Sequence, residues 1–98
     1  MNLEETRRQI DELDDMIVAL LNRRAALARC IGRIKMQAGL PIMDREREEI
    51  VLRRVVRENA GKIDDAALKR IYREILSECR LIQNIAIGEI AAGGEIVK

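Results

Sequence analysis

The sequence predicts an all-α domain of three helices, and both its composition and its periodicity support this fold class. Hydrophobic residues make up 48% of the 98 residues but aromatic residues only 1%, so the core must be built from aliphatic side chains, which suit helix-on-helix packing. One proline and six glycines provide too few turns for a β-sandwich. Apolar residues also recur at alternating intervals of three and four, as expected for α-helices.

The first predicted helix runs from Leu3 to about Gln37 and ends at Gly39-Leu40-Pro41. At about 1.5 Å per residue it would be about 50 Å long, whereas a compact domain of this size has a radius of gyration of about 13 Å. Two shorter helices cannot cover such a rod, so we predict that its apolar seam packs against a second copy of the chain in a homodimer. A helix that is bent or broken at Gly32 is the alternative. The apolar seam has heptad spacing and consists of Leu3, Ile10, Leu13, Ile17, Leu20, Leu27, Ile31 and Ile34.

The second predicted helix begins after Asp44, a residue type that commonly caps helix N-termini. Its apolar face runs from Ile50 to Val56. It is expected to stop near Asn59-Ala60-Gly61, with Gly61 in the left-handed conformation of a helix C-cap.

The third predicted helix is capped by Asp64 or Asp65. We expect the helical domain to cover residues 1–88 and the residues 89–98 to form a flexible tail or a linker. The apolar face of the third helix includes Leu68, Ile71, Tyr72, Ile75, Leu76, Cys79, Ile82, Gln83 and Ala86.

Composition and charge exclude several classes of function. The chain has no histidine, which removes the commonest metal ligand, the usual general base near neutral pH and every Ser-His or Cys-His nucleophile, and we predict neither a metal site nor a cofactor. The net charge of +1 gives no reason to expect nucleic acid or a membrane surface as a partner. No apolar run approaches membrane-spanning length, and the acidic, amphipathic N-terminus is unlike a signal peptide.

The two cysteines, Cys30 and Cys79, have no metal-like spacing. We expect them to be free thiols in a reducing cytoplasm, and one disulfide is the alternative.

Polar side chains on apolar helix faces are the candidate site residues. Arg24 lies in the apolar seam, where a buried guanidinium is unfavourable unless an anion meets it. Lys35 follows eleven residues later, within about 20° of the same helix face and about 16 Å farther along the axis. A small dianion between them would touch both side chains. The alternatives are a local carboxylate partner or a solvent-reaching conformation for Arg24, and a solvated position near the helix C-terminus for Lys35.

Arg7 lies seventeen residues before Arg24, about 25 Å away along the helix and about 100° around it. One helix therefore cannot bring both arginines to one small ligand. In an antiparallel homodimer, Arg7 of one chain can reach the far end of its partner's helix. Taken alone, Arg7 is typical of a surface arginine.

Two further groups lie on the other helices. Arg47 and Glu48 open the second helix, where exposed N-terminal amides favour an anion, and a solvated charge cluster is the alternative. Gln83 lies one turn after Cys79, and its amide, if buried, needs a partner on another helix or on a ligand. The complete set contains cations, an amide and a carboxylate, which suits the binding of a small polyanion. It suits catalysis only where shape and electrostatics suffice, without proton transfer or a covalent intermediate.

From about Leu3 to Gln83, the chain resembles the all-α, AroQ-type chorismate mutases. The resemblance implies an intertwined homodimer of three-helix protomers that rearranges chorismate, a dicarboxylate, to prephenate in a Claisen step. This reaction is pericyclic, so the missing acid, base and nucleophile do not count against an enzyme. The segments that carry the resemblance are TRRQIDELD with Arg7, LLNRR with Arg24, IGRIK with Lys35, GLPIMDRERE with Asp44, Arg47 and Glu48, and YREILSECRLIQ with Cys79 and Gln83.

The resemblance also implies a carboxylate clamp. Arg24 would hold one carboxylate from within the protomer, and Arg7 of the other chain would hold a carboxylate across the dimer. Arg47 would complete the clamp with the bidentate geometry that lysine lacks.

The remaining implied roles concern the reacting atoms and the ring. Lys35 and Gln83 would donate from opposite sides to the ether oxygen, which gains negative charge as its C–O bond breaks. Glu48, with the backbone of Asp44, would bind the ring hydroxyl. Cys79 stands where relatives often carry serine and would line the pocket.

Two other functions remain as alternatives. A pyruvate lyase acting on isochorismate can have the same fold, but such relatives generally lack the acidic residue after the second-helix arginine, so Glu48 favours the mutase. The second alternative is a non-catalytic regulatory or dimerisation domain, which the presence of every polar pocket residue disfavours. A helical dimer that binds nucleic acid is disfavoured by the near-neutral charge and the lack of stacking aromatics.

Overall fold

A computed structural model describes residues 1–91 of the chain and consists of three helices: α1 at Leu3–Ala38, α2 at Arg45–Arg57 and α3 at Asp65–Ala91. Residues 1–91 contain no strand, so the predicted all-α fold with a long first helix is confirmed. α3 packs against both α1 and α2, whereas α1 and α2 do not pack directly on each other. The space that remains between α1 and α2 is the site of the cavity described below.

α1 is a single continuous helix with a cap at each end. At its start, Oδ1 of Asn2 accepts a hydrogen bond of 2.8 Å from the backbone N–H of Glu5. At its end, Gly39 has a φ of 68°, a left-handed conformation that glycine adopts without strain, and the predicted stop is confirmed. The helix passes through Gly32 without interruption, so the alternative of a break at Gly32 is wrong.

α2 begins as predicted but ends earlier. Oδ1 of Asp44 accepts a hydrogen bond of 3.0 Å from the backbone N–H of Arg47, which confirms the predicted cap. The last helical residue is Arg57, and the C-cap is Glu58 in a right-handed conformation. Gly61 does have a positive φ, at 93°, but it lies in the connection rather than at the cap.

Asn59 explains this early end because its side chain organises the connection between α2 and α3. Its Nδ2 donates to the carbonyl of Ile63 at 2.8 Å and to Oδ1 of Asp65 at 2.7 Å, and its Oδ1 accepts from the N–H of Gly61 at 3.0 Å. Asp64 immediately precedes α3, and its carbonyl accepts from the N–H of Leu68 at 2.9 Å.

α3 continues to Ala91, past residue 88, where we predict the helical domain to end. Ala86 is fully buried just before this boundary, and Glu89 just after it forms an ion pair of 2.7 Å with Arg29 of α1. The ion pair is a contact between α3 and α1 beyond Gly88. The rest of the predicted tail, residues 92–98, lies outside the described residues.

The hydrophobic core of a single chain is small, and most of α1 is uncovered. No residue from 1 to 23 is buried. The radius of gyration is 17.1 Å and the longest dimension is 56 Å, larger than for a compact domain of this length. The buried hydrophobic residues are Ala28, Val51, Leu76, Cys79 and Ala86. The residues of the apolar seam are between 43% and 64% exposed: Leu3, Ile10, Leu13, Ile17, Leu20, Leu27, Ile31 and Ile34.

None of the three helices combines the length and the hydrophobicity that crossing a bilayer requires. Cys30 is exposed and Cys79 is buried, and both are free thiols, so the alternative of a disulfide is not realised.

Candidate active site

A cavity of about 440 Å³, here called the central cavity, lies among the three helices and the connection between α1 and α2. It brings together residues that are far apart in the sequence, and every predicted site residue except Arg7 lines it. These residues are Arg24, Lys35, Asp44, Arg47, Glu48, Cys79 and Gln83.

Lys35 and Gln83 meet at one end of the central cavity. The Nζ of Lys35 donates to Oε1 of Gln83 at 3.1 Å and to the carbonyl of Ile42 at 2.6 Å. Gln83 is buried, with 8% of its surface exposed. Because Oε1 accepts from Lys35, the NH₂ group of the same amide remains as a donor for a ligand in the cavity. The predicted partner of Gln83 on another helix is therefore Lys35, and this contact leaves the amide able to bind a ligand as well.

Gly32 allows Gln83 to reach this position. A Cβ atom at residue 32 would lie 2.8 Å from the carbonyl oxygen and 2.9 Å from the Cα atom of Gln83. These distances are shorter than real Cβ contacts allow, so α1 and α3 can approach this closely only because residue 32 has no side chain.

Arg24 is half-buried in the wall of the central cavity and contacts a buried thiol. Its Nη1 donates to the Sγ of Cys79 at 3.0 Å. Within residues 1–91, no carboxylate forms an ion pair with Arg24, so the alternative of a local carboxylate partner is not realised. Sulfur is a weak acceptor, and the guanidinium therefore keeps donors for a stronger anionic ligand. Lys35 lines the same cavity, as expected from the shared helix face.

Glu48 forms an ion pair with Arg80, a residue that the sequence analysis missed. The Nη1 of Arg80 lies 2.6 Å from Oε1 of Glu48 and also contacts Oε2. Arg80 itself lines the central cavity. It follows Leu76 by four residues and precedes Gln83 by three, and this helical spacing could have placed it on the cavity face.

The ionisable side chains of the cavity wall carry a net charge of +2, which complements a dianion. Arg47 lines the cavity and is exposed, and its backbone N–H donates to Oδ1 of Asp44 in the helix cap. Within the described part of the chain, no group of histidine, cysteine or acidic side chains is arranged to hold a metal ion. The basic residues are Arg24, Lys35, Arg47 and Arg80, and the acidic residues are Asp44 and Glu48.

Arg7 is exposed on the N-terminal part of α1 and does not line the central cavity of its own chain. This placement agrees with the expectation that one helix cannot bring Arg7 and Arg24 to the same small ligand.

The fold and the cavity define a class of protein: an all-α chain of three helices whose cavity presents cations, an amide and a paired carboxylate, groups that suit a small polyanion. The family model described as chorismate mutase type II matches residues 6–84, and the chain belongs to this family.

Individual relatives agree with this family. The chain is 46% identical over 81 residues to a bifunctional chorismate mutase/prephenate dehydratase of Aquifex aeolicus, a match that covers 79% of this chain and 22% of that protein. It thus spans about a fifth of the length of the bifunctional relative. It is 32% identical over 84 residues to the chorismate mutase of Methanocaldococcus jannaschii, and the match covers 83% of each chain.

A solved structure shows the same fold. The crystal structure of chorismate mutase from Helicobacter pylori in complex with prephenate matches with a TM-score of 0.81 and 31% sequence identity. The match covers 89% of this chain and 94% of that one.

Proposed function

We propose that the chain is a chorismate mutase that rearranges chorismate to prephenate in a Claisen step, without a covalent intermediate, metal or cofactor. The main support is the convergence of Arg24, Lys35 and Gln83 on one cavity whose wall carries a net charge of +2. Chorismate is a dicarboxylate, so its charge complements that of the wall. The relatives named chorismate mutase and the neighbour solved with prephenate give independent support.

The first contribution to the rate is control of conformation. Chorismate must fold from an extended form into a chair that places the enolpyruvyl group over the ring. Arg24 and Arg47 line the same cavity and can hold the two carboxylates at fixed positions. Restriction to a near-attack conformer removes the conformational search from the barrier.

The second contribution is electrostatic. As the C–O bond breaks, the ether oxygen gains negative charge, and donors fixed beside it stabilise the transition state more than the substrate. Lys35 supplies a cationic donor, and Gln83 supplies the NH₂ group that its contact with Lys35 leaves free. The hydrogen bonds of Lys35 to Ile42 and Gln83 position both donors before substrate arrives.

Glu48, Asp44 and Cys79 complete the binding site. The Glu48 carboxylate and the Asp44 backbone accept from the ring hydroxyl, and Cys79 lines the pocket and positions the guanidinium of Arg24.

We further propose that the active unit is an intertwined homodimer in which Arg7 of one chain enters the cavity of the other. The support is the uncovered α1: residues 1–23 include no buried position, and Ile17, at 53%, and Leu20, at 55%, are exposed. Exposed apolar surface of this extent is typical of a protein–protein interface. A second copy covers this surface and supplies the arginine that the cavity of one chain lacks.

We place the enzyme in the cytoplasm, and the free thiols of Cys30 and Cys79 support this assignment.

Ultraviolet absorbance tests the reaction directly. Purified chain added to chorismate should cause loss of chorismate with formation of prephenate, and the same chain should leave isochorismate unchanged. Release of pyruvate from isochorismate would instead support the lyase. A chain that binds a bicyclic dicarboxylate mimic of the transition state but converts neither substrate would support a non-catalytic domain.

A further inference from the structure

Glu48 places a negative charge in a cavity that, on the proposed function, receives a dianion. An unpaired carboxylate at this position would repel both substrate carboxylates, and the repulsion is strong where water is excluded. The same carboxylate is useful to the substrate as an acceptor for its ring hydroxyl. Glu48 must therefore accept a hydrogen bond from the substrate while a neighbouring cation neutralises its negative charge.

Arg80 meets this requirement. Its Nη1 contacts both oxygens of Glu48, at 2.6 Å for Oε1, and links α3 to α2 across the cavity wall. The side chains of Arg80 and Glu48 are only 30% and 21% exposed, so solvent screens this pair less than it screens a surface pair. For comparison, Arg53 and Glu49 are 4.0 Å apart on the same face of α2, and their side chains are 70% and 72% exposed.

The contact also leaves lone pairs of Glu48 available. An ionised carboxylate has about four lone-pair positions, and one nitrogen that bridges both oxygens occupies two of them. The remaining positions can accept the hydrogen of a hydroxyl group.

We propose that Arg80 is a positioning residue for Glu48: it holds the carboxylate in the cavity wall and neutralises its charge, so that Glu48 accepts from the substrate hydroxyl without repelling the substrate carboxylates. This role rests on the proposed function. It makes Arg80 and Glu48 one unit that selects a hydroxylated dicarboxylate.

If Arg80 positions Glu48, replacement of Arg80 should change KM for chorismate more than kcat. Arg80→Gln leaves Glu48 charged and unpaired, so KM for chorismate should rise about tenfold or more, while kcat stays within about threefold because Lys35 and Gln83 are unaffected. Arg80→Lys keeps the positive charge but presents it on a different side chain, so KM should rise less than in Arg80→Gln. Arg53→Gln is the matched control, because it removes an exposed arginine from a weak pair, and its KM should equal that of the starting protein.

A double-mutant cycle tests whether Arg80 acts through Glu48. We expect Arg80→Gln to change KM by less than about twofold when Glu48→Gln is already present, since no unpaired carboxylate then remains to repel the substrate. An equal rise in KM in both backgrounds would show that Arg80 binds substrate directly, and an unchanged KM in both would show that the pair has no role. Either result would overturn the proposal.

Thermal unfolding of each variant separates these outcomes from loss of the fold. If Arg80→Gln does not fold, the double variant of Arg80→Gln and Glu48→Gln takes its place in the test, because it has no unpaired carboxylate. The proposal then requires that the KM of the double variant match that of Glu48→Gln alone. A double variant that folds but has a higher KM than Glu48→Gln contradicts the role. If the unaltered chain fails to convert chorismate, the proposed function itself is refuted, whereas an active chain with an uncoupled cycle refutes only the role of Arg80.

Discussion

Lys35 of α1 and Gln83 of α3 are 48 residues apart in the sequence, yet Nζ of the lysine lies 3.1 Å from Oε1 of the amide. This hydrogen bond determines which end of the Gln83 amide is free to face the central cavity. The ammonium group of Lys35 and the amide NH₂ group of Gln83 are thereby held next to each other at the central cavity. Such preorganised donors can stabilise developing negative charge without reorganising during the reaction.

Replacement of Lys35 should cause a large loss of catalysis. In Lys35→Ala the cationic donor at the ether oxygen is removed, and we expect kcat/KM for chorismate to fall at least about 100-fold, as for the loss of an oxyanion-hole donor. Steady-state kinetics measure the effect. Lys62→Ala, in the exposed connection between α2 and α3, is the control and should retain full activity. Near-normal turnover by Lys35→Ala would contradict the assignment.

The pH dependence of the reaction should report the chemistry of residue 83. An amide does not titrate, so the rate should be flat from mildly acidic to mildly basic pH. In Gln83→Glu the side chain can donate only when protonated. The ordinary pKa of glutamate is about 4.3, and the protonated form is present below the pKa and lost above it. The variant should therefore be most active at acidic pH and lose activity as pH rises.

Rate profiles of the two proteins and of Gln37→Glu, an exposed residue at the end of α1, test this prediction. The control should keep the flat profile. A flat profile in Gln83→Glu, or a steep loss above about pH 6 in the unaltered chain, would show that another group supplies the donor.

Two glycine-to-alanine substitutions should have opposite effects on stability. Alanine in place of a helical glycine normally stabilises a protein by up to about 1 kcal/mol. At Gly32, however, the new methyl group would lie 2.8 Å from the backbone oxygen of Gln83, and we expect a net destabilisation of about 1–3 kcal/mol. At Gly88, nothing lies within 4 Å of the added atom, so Gly88→Ala should stabilise the chain.

Chemical denaturation of both glycine variants measures these effects, and chorismate turnover adds a second readout at Gly32. Because Gly32→Ala pushes α3 away from α1, Gln83 moves relative to Lys35 and kcat should fall. A stabilised and fully active Gly32→Ala variant would mean that the two helices do not need this close approach.

The sequence was sufficient to predict much of the fold because the local signals were strong. The long apolar seam of α1 has an unbroken helical period, Gly39 has the left-handed conformation that glycine favours, and Asp44 caps α2 with its side chain. The end of α2 was predicted less well than its start. Asn59 organises the connection after α2 through three hydrogen bonds within six residues, and α3 continues past Gly88, where Glu89 pairs with Arg29 of α1.

The central cavity is lined by every predicted site residue except Arg7, and also by Arg80, which is not among the predicted residues. A polar residue at an apolar helix position, such as Gln83, indicates a buried polar contact and can be predicted from the sequence. The helical spacing of Arg80 places it on the cavity face too, but its role depends on a partner 32 residues away on another helix. Pairing across helices of this kind follows from packing angles that the periodicity of one helix does not contain.

The central claim is that one active site combines Arg24 of one chain with Arg7 of its partner, and a mixing experiment tests it most directly. Arg7→Ala and Arg24→Ala homodimers should each be nearly inactive. After unfolding and refolding of an equal mixture, about half of the dimers contain one chain of each kind, and each of these has one complete site. The mixture should therefore recover about a quarter of the chorismate turnover of the unaltered protein. Sedimentation checks that the mixture and its two components contain the same amount of dimer. If the mixture is then no more active than its components, the result would contradict a site shared between chains.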